Sequence, residues 1–410
     1  MRPEVNLHIF AVFPDGEVVR TGRLLSRNLD RPGQHEGFFR YDPDYLGHPL
    51  AYAVDPVHLP LAETIFSATN RETGLHDVFE DSLPDAWGRQ LLARKGGLDR
   101  GRHAPAHLLA ALRGNGLGRL LFSETATPPP FLDASIPFAD IGLAITEAGR
   151  LEASVDADNT ALRHLLACGS SAGGARPKVL TALDDTLWIA KFAARRDPDP
   201  GLFIGLEAAG LTLAAMAGLV VPEIRRVLVG DRQVLLIRRF DISGRRGRNA
   251  LLSFRSLIGI EDQYGVAYAD LAAMVRQYSS SPAADLEQLY RQMLVNVLLV
   301  NTDDHLQNLA MLHTETGWRL SPAYDIVPNI YQTEQILRIN ARHDNLGPAD
   351  LLAEGRKFGL PLQRCKKMIR DVLDRMTDWE EIFTDCEVPE AHTGRLRGEI
   401  RARMAKFRNL

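Results

Sequence analysis

The sequence predicts an α+β protein that opens on a β-rich subdomain, passes through a mixed middle region and closes on a mostly helical one. Three observations carry that expectation. The first quarter alternates in short apolar runs, "LHIFAVF" and "GEVVRTGRLLS", around Pro-Asp-Gly, the pattern of a β-hairpin. Residues 125–137, "TATPPPFLDASIP", hold three consecutive prolines, which neither a helix nor a central strand accepts. From Leu257 onward apolar residues recur at helical spacing, most clearly Leu286, Leu289, Met293, Val297 and Val300. A chain of 410 residues, 45% of them hydrophobic, can fill two or three domains. The boundaries expected are 1–125, 126–255 and 256–410.

Taken in order, the opening hairpin gives way to a helical pattern after "VFEDSLPDAWGRQLLARKGG". Beyond the prolines, residues 138–149 form a helix, and "PKVLTALDDTLWIAKF" reads as two strands turning at Asp184 and Asp185. Side chains alternate along a strand, so Leu187, Ile189 and Lys191 share a face, and the lysine keeps apolar company. Residues 202–219 form a helix with Leu206, Gly210, Leu213 and Ala217 in register and a single acid, Glu207. "QVLLIRRFD" is a buried strand that ends in charge. The long helix that follows runs straight into "NTDDHLQN".

Composition excludes several classes of function. A net charge of −4 and a pI near 6.3 do not suit a wholesale nucleic-acid or membrane binder, and the arginine-dense stretches at 225–248 and 395–408 read as solvated surface. Cys168, Cys365 and Cys386 are odd in number and lack metal-ligand spacing, so neither a disulfide framework nor a zinc site is expected. A reducing cytoplasm fits them best. No apolar stretch approaches the roughly 20 residues of a membrane span, and the N-terminus lacks a secretory pattern.

The chemistry concentrates between Asn301 and Asp325. Phosphoryl transfer from ATP needs an aspartate to accept the acceptor hydroxyl's proton, with an amide and a second carboxylate to hold magnesium. Asp303 and Asn308 have the D-x-x-x-x-N spacing of a protein-kinase catalytic loop, and Asp325 follows seventeen residues after Asn308. Taken singly, each is an ordinary cap or turn residue; their joint spacing points to Asp303 as base and to Asn308 and Asp325 as metal ligands. Upstream, "GSSAGGARPK" at 169–178 is rich in glycine, including Gly173 and Gly174. Such a loop lets backbone N–H groups reach phosphate oxygens, though a plain surface loop has the same composition. Lys191 would contact the α- and β-phosphates, and Glu207 would hold it as an ion pair.

These residues also carry a resemblance. "SSAGGARPK", "IRRFD", "NTDDHLQN" and "SPAYD", with "FEDSLPDAWG" nearer the N-terminus, resemble the HipA family of bacterial toxin serine/threonine kinases over nearly the whole chain. The resemblance implies a two-lobed protein-kinase-like fold, akin to phosphoinositide kinases, behind the β-rich subdomain. It implies ATP and Mg2+ as cofactors, a protein serine or threonine as acceptor, an aminoacyl-tRNA synthetase among the candidates, and a small helix-turn-helix antitoxin through which DNA is met indirectly. By the same resemblance Asp303 is the base, Asn308 and Asp325 ligate the metal, and Lys191 binds the nucleotide. Phe240 supplies the adenine hinge, Asp241 a ribose contact, and Lys178 a second phosphate contact. Ser171, or Ser170 beside it, would be autophosphorylated as an off-switch. His305 is expected to anchor the loop rather than act as base. Two other readings stay open: a weakly catalytic nucleotide-binding partner of a DNA-binding antitoxin, and a small-molecule kinase.

Overall fold

The computed structural model describes all residues except 1–3, 30–32, 71, 99–102, 132–134, 154–161, 169–175, 261 and 409–410. The chain divides into two compact units. The first holds Met1–Arg195, Val229–Asp231 and Leu236–Leu252; the second holds Arg196–Leu228, Arg232–Leu235 and Ser253–Leu410.

The first unit begins with the expected hairpin, β1 (Glu4–Val12) and β2 (Val18–Asn28), paired antiparallel with a register shift between Ile9 and Phe10. With β3 (His35–Tyr41), β4 (Phe66–Ser67) and β5 (Leu120–Ser123) it makes a sheet of order β4-β3-β2-β1-β5. Its core is aromatic. Phe39 meets Tyr41 and Phe79, Tyr41 stacks on Tyr45, and Phe79 meets Phe122 edge-on. Arg119, almost fully buried, lies over the rings of Phe13 and Tyr52, where a desolvated cation gains from the ring quadrupoles.

The proline-rich stretch ends in β6 (Ile136–Pro137), which pairs in parallel with β7 (Lys178–Leu183). The helix expected at 138–149 is a short 3-10 turn at Phe138–Asp140 followed by an α-helix, Ile141–Glu152. β7 and β8 (Thr186–Phe192) pair antiparallel as the sequence indicates. Their two-residue turn has φ +51° at Asp184 and +56° at Asp185, the left-handed pair that matches the twist of the strands. On β8 it is Trp188, Ala190 and Phe192 that fill the core; Leu187, Ile189 and Lys191 share the half-buried face. The next strands along the chain are β9 (Ile224–Val229) and β10 (Arg232–Arg238), and the end of β10 continues into Arg239, whose N–H bonds the Leu187 carbonyl at 3.0 Å.

The second unit is mainly helical, with helices at Leu202–Met216, Tyr268–Tyr278, Pro282–Leu298, Pro348–Lys357, Leu362–Arg375, Trp379–Asp385 and Gly394–Arg408. Against them lies a hairpin of Ala310–Thr314 and Gly317–Leu320. Asp285, buried in the first turn of Pro282–Leu298, accepts hydrogen bonds from Arg319 Nε and Nη2, Ser279 Oγ and Leu320 N. One carboxylate so saturated fixes the helix against the hairpin and thereby sets the loop between them.

Candidate active site

In the first unit the register places Lys178 directly across from Lys191. Opposed side chains on an antiparallel pair have Cβ atoms about 5 Å apart, and like charges there repel. Lys178 is only 3% exposed, and its Nζ lies 3.9 Å from Asp85 Oδ2. Two lysines opposed across one strand pair form a place that a bound anion would favour. Ser170, Ser171, Gly173 and Gly174 lie outside the described residues.

Phe240 and Asp241 follow β10. Asp241 is 4% exposed; its Oδ1 accepts from Arg239 Nε at 3.0 Å, and its Oδ2 from Arg239 Nη2 and Gly118 N, both at 2.8 Å. Burial by itself would raise its pKa. The charge and hydrogen bonds of Arg239, the Gly118 N–H and the charge of Arg248 outweigh that and hold the carboxyl below its ordinary range.

In the second unit the helix Pro282–Leu298 stops and the chain turns through Val300, a buried β-branched residue at φ +58°. Such a conformation persists only where the surroundings over-determine it. Here Asn301 N bonds the Asn296 carbonyl at 2.9 Å, Asn301 Nδ2 bonds Asn296 Oδ1 at 3.0 Å, and Asn329 bonds the Val300 carbonyl and Thr302 Oγ1. The two aspartates that follow part company. Asp303 points outward, its side chain 61% exposed. Asp304 is buried: Oδ2 accepts from Tyr268 OH at 2.8 Å and Gln335 Nε2 at 3.0 Å, and Oδ1 from Ile336 N at 2.7 Å. Burial raises its pKa, partly opposed by those bonds.

Asn308 closes the loop, its Nδ2 donating to the Asp303 carbonyl at 2.9 Å. That bond fixes the amide plane, and its Oδ1 is the acceptor atom of the group. Asp325, at φ +55°, follows Tyr324, whose OH donates to the Gln307 carbonyl at 2.7 Å, so the backbone ahead of Asp325 is tied to the loop that ends at Asn308. An amide oxygen and a carboxylate so placed are the donor types that Mg2+ takes when phosphate and water complete its shell. His305 Nδ1 accepts from Gln307 N at 3.2 Å, which leaves the ring's proton on Nε2, 3.9 Å from Asp303 Oδ1. Glu207 is buried in the helix Leu202–Met216. Gly210, one turn on, is forced: a Cβ there would stand 2.1 Å from the Ile326 carbonyl oxygen.

Sequence reasoning did not single out Asp304, Tyr268, Gln335 or Asp85. Their partners lie 31 to 36 residues away for Asp304, too far for spacing to show. The repeated acid in "NTDDHLQN" was the only signal.

Residues 170–380 match the family profile described as HipA-like C-terminal domain, and residues 19–123 that described as HipA N-terminal domain. A protein of Sinorhizobium fredii named "Putative kinase Y4mE" is 25% identical over 187 residues, which cover 41% of this chain and 44% of that protein. The match thus spans less than half of that relative's length. A Haemophilus influenzae protein named "Putative kinase" is 22% identical over 279 residues, 58% of this chain and 81% of that one. Among solved structures, a chain of the Shewanella oneidensis MR-1 toxin–antitoxin complex of HipA, HipB and operator DNA superposes with a TM-score of 0.70 at 17% identity, covering 98% of this chain and 97% of that chain. The likeness is one of fold, and the α+β architecture with a β-rich opening and a helical close is shared.

Proposed function

The chain belongs to the HipA family, and on that premise we propose that it is an ATP-dependent kinase of protein serine or threonine hydroxyls. The observation that supports this most is the loop in which Asp303 faces solvent while its own carbonyl orients Asn308. In this reading Asp303 accepts a hydrogen bond from the acceptor hydroxyl, aims it at the γ-phosphorus and takes its proton as the new P–O bond forms, the bond from the γ-phosphorus to the β–γ bridging oxygen breaks and ADP departs. Asn308 and Asp325 would hold Mg2+, which when bound neutralises the phosphate oxygens. By the family resemblance Lys178 and Lys191 would hold the phosphates, Glu207 would pair with Lys191, and the Phe240–Asp241 segment would take the adenine and ribose. Catalysis of this kind is positioning and charge stabilisation rather than covalent work by the protein.

The reading extends to regulation and partners. A phosphate on Ser171 or Ser170 would put negative charge in the glycine-rich loop, repelled by bound nucleotide and by the aspartates, and so turn the enzyme off. The Shewanella chain was solved with HipB and DNA, which supports a helix-turn-helix antitoxin as partner and DNA contact through it. The odd, metal-free cysteine set fits a cytoplasmic setting, and among the described residues no helix is long and apolar enough to cross a membrane.

Intact-mass spectrometry with Mg2+ and ATP, beside Asp303→Ala, tests the proposal. One added phosphate that maps to 165–180 in the native protein and not in the variant is the expected result. Transfer that continues without Asp303 would remove the base from the scheme, and an acceptor screen with peptides and small metabolites would then decide between the protein-kinase and small-molecule readings.

A further inference from the structure

The motif "FEDSLPDAWG" takes no part in the scheme above, yet it supplies an acid, Asp85, whose Oδ2 lies 3.9 Å from Lys178 Nζ. Asp85 is the N-cap of the helix Ala86–Lys95, with extended backbone (φ −67°, ψ −173°), and its Oδ1 accepts from Gly88 N at 2.8 Å. The preceding turn is fixed as well, since Arg89 Nε donates to the Pro84 carbonyl at 2.9 Å. With one oxygen committed to the helix end, the other is aimed, and it stands 3.9 Å from Lys178 Nζ. Lys178 is buried and directly opposite Lys191 in the strand register, where a nearby carboxylate offsets both desolvation and the like charge.

We propose that Asp85 is a positioning residue for the phosphate-binding lysine Lys178, holding its ammonium beside Lys191 so that the two present one anion site to a polyphosphate. The inference rests on the nucleotide reading given above. It ties the N-terminal subdomain to nucleotide binding: a change in the backbone around Pro84 moves the carboxylate, and with it the lysine. Asp85, Lys178 and Lys191 all belong to the first unit.

Asp85→Asn isolates the charge, because asparagine caps a helix as well as aspartate does. Calorimetric titration with Mg-ADP, and separately with inorganic tripolyphosphate, is compared for the native chain, Asp85→Asn, Lys178→Met and the double variant. About tenfold weaker binding is expected in each single variant, an order of magnitude typical of losing one charge-assisted contact, with a lowered thermal midpoint in Asp85→Asn, because the buried lysine then lacks that carboxylate. The double variant should bind no worse than Lys178→Met alone, since residues acting through one another are not additive. Native affinity in Asp85→Asn, or losses that multiply in the double variant, would overturn the proposal; a purely structural cap predicts the second. Asp85→Ser, which also caps, replaces the asparagine variant if that does not fold. A native chain that binds neither probe overturns the nucleotide reading together with this one, whereas native binding unaffected by Asp85→Asn strikes this one alone.

Discussion

Asp303 and Asp304 are neighbours of one type with opposite duties, and burial decides which is which. Asp303 is exposed and its alanine variant leaves no buried group without a partner, so its stability should change by less than about 0.5 kcal/mol, as for most surface substitutions. Asp304→Ala strips acceptors from Tyr268 OH, Gln335 Nε2 and the Ile336 N–H, and each orphaned group costs about 1–3 kcal/mol. Thermal melts of the two variants should therefore diverge widely; equal melting points would mean that the Asp304 network holds nothing. Gly210 makes a sharper case. On a free helix Gly→Ala gains about 1 kcal/mol, but here the new methyl would meet the Ile326 carbonyl carbon and oxygen, and overpacking costs about 1–3 kcal/mol. Gly210→Ala is thus expected to lower stability and to raise the Mg2+ concentration needed for transfer, because the displaced backbone carries Asp325. A more stable variant would contradict this.

At the scale of elements, the β7–β8 hairpin shows what sequence can and cannot disclose. The strands, their turn at Asp184 and Asp185 and the face bearing Lys191 follow from local alternation and turn chemistry, which act over a few residues. The opposition of Lys178 to Lys191 is a consequence of that same register and was open to derivation. The pairing of Lys178 with Asp85 was not, because it joins segments 93 residues apart and depends on how the chain folds back. The Asp303–Asn308 loop divides in the same way. Its D-x-x-x-x-N spacing is visible in the chain, while the bonds that hold it, from Tyr268, Asn329 and Gln335, come from three distant segments. The turn itself offers a test. Both aspartates occupy left-handed backbone that Asn-Gly adopts at less cost, so Asp184→Asn with Asp185→Gly should stabilise the hairpin by up to about 1 kcal/mol. Slower hydrogen exchange across 178–192 would show it, and faster exchange would rule it out.

For the molecule as a whole, the two units should answer acid with different signs. In the first unit His76 is 7% exposed and packs edge-on against Phe79. Burial drives its pKa down from the ordinary 6.5 to about 4, with His58 adding to the shift and Asp55 opposing it. Between those values the unfolded chain binds a proton that the folded chain refuses, so stability falls as pH drops through that window, by up to about 3 kcal/mol. His8 and His35 are lowered too, chiefly by burial, and act in the same direction. His58 opposes them: its hydrogen bond to Asp55 raises its pKa, and the stability it adds is lost as pH climbs through the raised value. In the second unit the buried Asp304 has its pKa raised, so between 3.8 and that raised value the folded state holds the extra proton and stability grows as pH falls. The lowered acids there, Glu287, Asp350, Asp371 and Glu380, withdraw stability only below their ordinary values near 4. At pH 5, then, hydrogen exchange corrected for intrinsic rate should quicken in first-unit peptides relative to pH 7 and slow in the helices around Asp304. His76→Leu should remove most of the first-unit response, since leucine fills the site without a proton to gain. An unchanged acid response in that variant would assign the effect to other groups, and acceleration of equal size in both units would dismiss the division of titration between them.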